Sequence, residues 1–241
     1  MTDLIKEMIE RKSVRAFEDR EISCEDKNLI LEAAVNAPTA GNQQLYTIID
    51  VTDRTLKERL SESCDHQPFI AKAPLVLIFC ADAQKWYDLY LDSNTMPRRP
   101  GPGDLMLAVD DAVIAAQNAV SAAWSLGIGS CYIGDIMEQA ELHREMLELP
   151  EYVFPAAMVV FGYPTEQQKK RPKPERAPID VIVCENKYRR LNCDQLRLMV
   201  SRSVKDKDHN EWVKAFCNRK YNSDFSIEMS RSVAEYLKEY I

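Results

Sequence analysis

Hydrophobic residues recur along this chain at two spacings, and each predicts its own elements. Leu4, Ile5, Met8 and Ile9 share one helical face, which predicts a short helix over residues 3–10. Ser23, followed by Glu25 and Asp26, predicts a capped second helix that carries Leu29, Ile30, Ala33 and Ala34 and ends before Pro38. Residues 45–52 (LYTIIDVT) read as a strand, 54–62 as a charged helix, and 73–81 (APLVLIFCA) as a buried, proline-bounded strand. A helix over 83–92 leads into TMPRRPGPGD (95–104), a Pro/Gly loop that predicts a mobile lid. After a long apolar stretch, residues 129–136 (GSCYIGDI) read as a short extended piece, 138–148 as a helix and 154–164 (FPAAMVVFGYP) as another core strand. TEQQKKRPKPERAP is basic and broken by proline, and residues 190–241 read as charged amphipathic helices. Helices outnumber strands and the two do not alternate strictly, so the expected class is α+β. No internal repeat or low-complexity tract is visible.

Residues 105–128 (LMLAVDDAVIAAQNAVSAAWSLGI) are apolar on nearly every side. Asp110, Asp111, Gln117 and Asn118 lie inside that stretch, and each aspartate at a bilayer centre would cost about 2.5–3.5 kcal/mol. The expectation is therefore a central core or interface helix, started by Pro102-Gly103-Asp104 and stopped near Gly127 and Gly129, with no membrane span. One subunit is too small to cover such a helix, which points to a homodimer.

With 241 residues, the chain is long enough for a sizeable core. Its net charge of −7 argues against a general nucleic-acid partner, which needs a basic face. Seven scattered cysteines without a C-x-x-C pair are expected to be reduced thiols in a cytoplasmic protein. The opening MTDLIKEMIERK is too charged for a secretory leader.

Against that acidic background, RKSVRAF (11–17) stands out. Arg11, Ser13 and Arg15 occupy alternate positions and can converge, while Lys12 and Val14 face elsewhere; two guanidinium forks and a hydroxyl suit a phosphate. Lys173 and Arg176, in RPKPERAP, can supply further positive charge. APTAGNQQLY offers Thr39, Asn42 and Gln44 as neutral hydrogen-bonding groups around Gly41, suited to a heterocycle edge or a sugar. His66, His143 and His209 form no ligand pair, and the sequence shows no serine-hydrolase elbow, zinc-protease motif, Walker loop or dinucleotide glycine fingerprint. No metal site is expected.

R-x-S-x-R-x-F near the start, then A-P-T-x-x-N-x-Q before a strand, resembles the nitroreductase family of FMN-dependent oxidoreductases. The resemblance continues in order through His66-Gln67, APLVLIFCAD, D-x-x-x-A-x-Q-N, LGIGSCYIGDI, AMVVFGYP, K-P-E-R-A-P and ENKY, over about residues 1–190. It implies a central, mostly antiparallel sheet flanked by helices, in an intertwined homodimer with two FMN sites at the interface. The implied domains are an FMN-binding unit, 1–190, and a C-terminal helical extension, 191–241, packing on the dimer. Carried across, Arg11, Ser13 and Arg15 contact the phosphate and ribityl end of FMN, with Lys12 sharing that role and Lys173 or Arg176 assisting. K-P-E-R-A-P stands where the family often has K-P-R-x-P, so either Lys173 or Arg176 can be the main phosphate ligand. Gln67 meets the pyrimidine edge, and Tyr132-Ile133-Gly134 passes the ring. Pro38, Thr39 and Asn42, with Gln44 beside them, reach the flavin bound mainly by the other subunit.

The implied reaction is ping-pong. NADPH or NADH reduces the flavin at N5, and a nitroaromatic, quinone or flavin then takes the electrons. Arg15 is the expected electronic tuner, and no protein side chain need act as acid, base or nucleophile. Two other readings stand beside this one. The same fold also serves dehalogenation, flavin degradation and dehydrogenation, and a flavin-binding sensor or interaction protein would show no turnover. Arg98 and Arg99 are candidates for an NADPH 2′-phosphate.

Overall fold

Residues Tyr46–Asp50 (β1), Leu75–Asp82 (β2), Gly129–Ile133 (β3) and Val153–Gly162 (β4) form one sheet in a computed structural model that describes residues 2–241. The strand order is β1-β2-β4-β3, and every pairing is antiparallel. β2 and β4 are buried throughout, as continuous apolar runs require. Pro155 sits within β4, where the register against β2 slips between Phe79 and Cys80, so the missing N–H is absorbed at an irregularity.

The helices are α1 (Asp3–Glu10), α2 (Cys24–Val35), α3 (Arg54–Ser63), α4 (Pro68–Ala71), α5 (Gln84–Asp92), α6 (Pro102–Ser125), α7 (Ala140–Met146), α8 (Glu166–Lys170), α9 (Cys193–Val204), α10 (His209–Lys220) and α11 (Asp224–Leu237). Ser23 caps α2 as expected, its Oγ accepting from the Asp26 N–H at 3.0 Å. The alternation of β2 divides the core. Leu75, Leu77, Phe79 and Ala81 pack with Ile30 of α2 and the alanine face of α6, while Val76, Ile78 and Cys80 pack with Leu60 of α3 and Ile70 of α4.

By length and composition α6 is apolar enough to cross a membrane, but it is a core helix here: Ala108, Ala112, Ala115, Ala116 and Ala119 are fully buried against the sheet and α2. Small side chains bring its backbone close to the strands. Its other side keeps Met106, Leu107, Val113 and Ile114 exposed.

Two compact units divide the chain. The first comprises Met1–Arg171 with Glu228–Ile241, and the second comprises Pro172–Ile227. This is a division by compactness, whereas the division at residue 190 follows the extent of the family resemblance. Within the second unit, α9 is capped by Asn192 and α10 by Asp208. The seven cysteines are free thiols, three of them buried.

Candidate functional site

The cationic loop is laid along the outer edge of β3. Ser13 bridges Ser130 in parallel, and the Val14 N–H donates to the Ser130 carbonyl at 2.9 Å. Extended backbone alternates its side chains, so odd and even positions separate. Val14 turns inward, 1% exposed, onto Gly129, where an added Cβ would lie 2.6 Å from a Val14 methyl. Glycine at 129 is thus what allows the loop to approach the strand. Lys12 also leaves the cluster: its Nζ donates to the Lys169 carbonyl at 2.7 Å and to the Arg171 carbonyl. Lys12 therefore ties the loop to the segment after β4, a role distinct from the phosphate contact expected of it.

Arg11, Ser13 and Arg15 come together beside Cys131. Burial pushes the Cys131 thiol up, while Arg15, Ser13 and Arg11 all act to lower it, so the three groups crowd one face. Arg11 also faces Tyr132, whose hydroxyl burial pushes up to about 12 against the pull of that guanidinium. The Tyr132 hydroxyl is buried with no hydrogen-bond partner. Two guanidinium groups, a serine hydroxyl and an orphaned phenol at one strand edge make a donor set that fits a phosphorylated, polar ligand.

The 39–45 loop is held from below. Asp111, 2% exposed within α6, accepts from the Ala40 N–H at 2.8 Å and the Leu45 N–H at 3.0 Å. The aspartate that told against a membrane span is thus a loop clamp, which the sequence reading did not assign; its signal was a lone acid on an alanine-rich face. Asn42 and Gln44 take left-handed backbone conformations, with φ of 58° and 47°. The Gln44 amide donates to Asn42 Oδ1 at 3.0 Å, and the Gln44 N–H to Thr39 Oγ1 at 3.2 Å. Pro38, Asn42 and Gln44 remain exposed and Thr39 half-buried, so this edge presents neutral groups outward.

Gln67 precedes α4 and is half-buried; its amide donates to the Cys64 carbonyl at 2.8 Å. Ile133 is buried, and Gly134 is exposed where the chain leaves β3. Lys173 and Arg176 belong to the second unit, where the Arg176 carbonyl accepts from Arg202 at 3.0 Å. Arg98 is committed to Asp104 through two bonds of 2.5 and 2.9 Å, which fastens the 95–104 loop to the start of α6. Among the described residues, no group of His, Cys, Asp and Glu side chains is arranged to hold a metal ion.

The family model described as "Nitroreductase family" matches residues 8–163. The chain belongs to the nitroreductase family. As a member, it is 32% identical to an FMN reductase [NAD(P)H] of Bacillus subtilis, over 98% of this chain and 91% of that one. It is 31% identical to an oxygen-insensitive NADPH nitroreductase of Salmonella typhimurium, over 80% of this chain and 77% of that protein. A solved nitroreductase structure from B. subtilis superposes with a TM-score of 0.83 at 25% identity, covering 99% of this chain and 98% of the other. Nitroreductase-family membership places the Arg11–Arg15 loop and β3 inside the matched segment, and Lys173 and Arg176 beyond it.

Proposed function

We propose that this family member is an FMN-dependent oxidoreductase that takes electrons from NADPH or NADH and passes them to a nitroaromatic, a quinone or a flavin, in ping-pong order. The observation that carries this reading is the gathering of Arg11, Ser13 and Arg15 around Cys131, with Arg11 also acting on the orphaned Tyr132 hydroxyl. Bound FMN would supply the two-electron chemistry between nicotinamide and acceptor. The chain's own residues bind and orient. Arg11, Ser13 and Arg15 grip the phosphate and ribityl end. The positive charge of Arg15 favours the reduced, anionic ring. Gln67 addresses the pyrimidine edge, and the Tyr132-Ile133-Gly134 backbone lies along the ring.

The reading includes a homodimer in which Pro38, Thr39, Asn42 and Gln44 serve the flavin held mainly by the partner. Leu4, Met8 and Ile9 of α1 and Met106 of α6 are each more than half exposed, an apolar surface that favours burial against a second copy. Light scattering is expected to return twice the 27.6 kDa chain mass, and a single-chain mass would remove this part of the reading. The seven free thiols go with a reducing, cytoplasmic setting.

The deciding experiment is anaerobic. NADPH or NADH, mixed with the yellow FMN-loaded protein, is expected to bleach it rapidly, and added quinone, nitroarene or free flavin to restore the colour. A bound flavin that neither coenzyme reduces would make the protein a flavin-binding sensor. Protein that stays colourless after incubation with FMN would end the flavin reading.

A further inference from the structure

The turn that follows β3 ends in a buried acid with no use in the reaction described above. Glu138 is 5% exposed, and its Oε1 is buried with no hydrogen-bond partner. Its neighbours from every side are acidic or neutral. Asp135 lies on the same turn, Asp65 on the loop between α3 and Gln67, and Glu228 on α11. The Cys64 thiol is pushed up to about 12, chiefly by burial and then by Asp135. His143 of α7 is fully buried, with one ring nitrogen on the Ile136 carbonyl at 2.9 Å and the other on Ser63 Oγ at 2.8 Å. Burial lowers its pKa, so it brings no positive charge to Glu138. Arg231, the cation paired with Glu228, is also bound by Glu141, at 2.8 and 2.7 Å respectively.

This corner joins two segments of the flavin reading. The Gln139 amide of the turn donates to the Ser63 carbonyl at 2.7 Å, fastening residues 134–139 to the end of α3 from which the Gln67 loop departs. On the other side, Glu228 accepts from the Gln139 N–H at 3.1 Å, and Ser232 Oγ from the Ala140 N–H at 2.9 Å, so α11 caps α7. Both joints border Glu138. A negative charge placed there would face three carboxylates with nothing to offset it, whereas a neutral acid would not.

We propose that Glu138 is a positioning residue which, as a neutral carboxylic acid, lets the post-β3 turn, the Gln67 loop and α11 close on one another, and which loosens that joint when it loses its proton. The assignment to flavin binding rests on the proposed function, because Gly134 and Gln67 bear on FMN only in that reading. Burial raises Glu138 to about 7, with Asp135, Asp65 and Glu228 adding to the effect, so the change falls near neutral pH. The sign follows from linkage. A carboxyl whose folded value lies above its unfolded one contributes stability at low pH that is lost as pH rises through about 7.

Two readouts test this. Melting temperature is measured from pH 4 to pH 8.5 without FMN, for the natural chain and for Glu138→Gln. The natural chain is expected to lose several degrees relative to the variant as pH rises from the ordinary carboxylate range to about 7, with the gap closing only near pH 4 and levelling off above neutrality. FMN affinity is measured by flavin fluorescence at pH 6 and pH 8. The ratio of the two proteins' affinities is expected to change by up to about tenfold for each pKa unit by which FMN binding holds the proton. The proton of the FMN phosphate, which titrates near pH 6, is common to both proteins and drops out of the ratio. Asp65→Asn, on an exposed side chain, is expected to shrink the natural chain's loss of melting temperature at pH 8, though by less than Glu138→Gln does, because it removes one like charge and lets Glu138 ionise at less cost. Parallel melting curves for all three proteins overturn the proposal. A shifted melting curve with a flat affinity ratio overturns the link to the flavin segments. Failure of every protein to bind FMN sinks the flavin reading and leaves the melting curves to decide the role of Glu138.

Discussion

Asp111→Ala is expected to lower the melting temperature by about 6–12 °C. Asp111 is buried in α6 and accepts two backbone hydrogen bonds from the ends of the 40–45 segment, at 2.8 and 3.0 Å. Removing it strands two N–H groups in a protein interior, at a cost of about 3 kcal/mol. Asp111→Asn, which keeps one acceptor oxygen, is expected to fall between the two. The freed loop carries Thr39, Asn42 and Gln44, so FMN affinity should fall along with stability. The measurement is a thermal melt with and without FMN. A drop below about 2 °C for the alanine variant would show that the loop does not depend on this clamp.

Arg15→Ala is expected to weaken FMN binding about 10- to 100-fold, the range for losing one charge-assisted contact, and to lower the potential of the bound flavin. Arg15 is exposed in the chain and aligned with Arg11 and Ser13 around Cys131, so its loss leaves the core intact. Riboflavin, which lacks the phosphate, separates the two parts of the role. Loss of FMN affinity alone places Arg15 on the phosphate, while loss of both affinities, together with a lower potential, places it at the ring. Arg15→Lys should restore charge without the bidentate fork, and so recover potential better than affinity. Unchanged affinity and potential would remove Arg15 from the site.

Much of the framework was legible because its signals are local. Ser23 with its acidic first turn marked α2, Pro102 marked the start of α6, and apolar runs marked β2 and β4. The four residues of α4 and five of α8 are too few for any periodicity to register, and the sequence reading assigns no element to either. The odd-numbered cluster at 11, 13 and 15 was readable because alternation is a property of extended backbone, and the same rule that gathers these residues turns Lys12 away. The partners of Asp111 and the crowding around Glu138 were not readable. Each depends on segments far apart in the chain, and an aspartate or glutamate looks the same in sequence whether it clamps a loop, stays neutral or faces water.

The clasp of Lys12 on the Lys169 and Arg171 carbonyls spans 157 and 159 residues of chain. As the ribosome releases the polypeptide from its first residues onward, the arginines emerge long before the edge strand that seats them, and the segment that fastens them emerges later still. In the proposed function, cofactor capture would then come late in biogenesis, because the arginine loop is seated only after the sheet has closed around it.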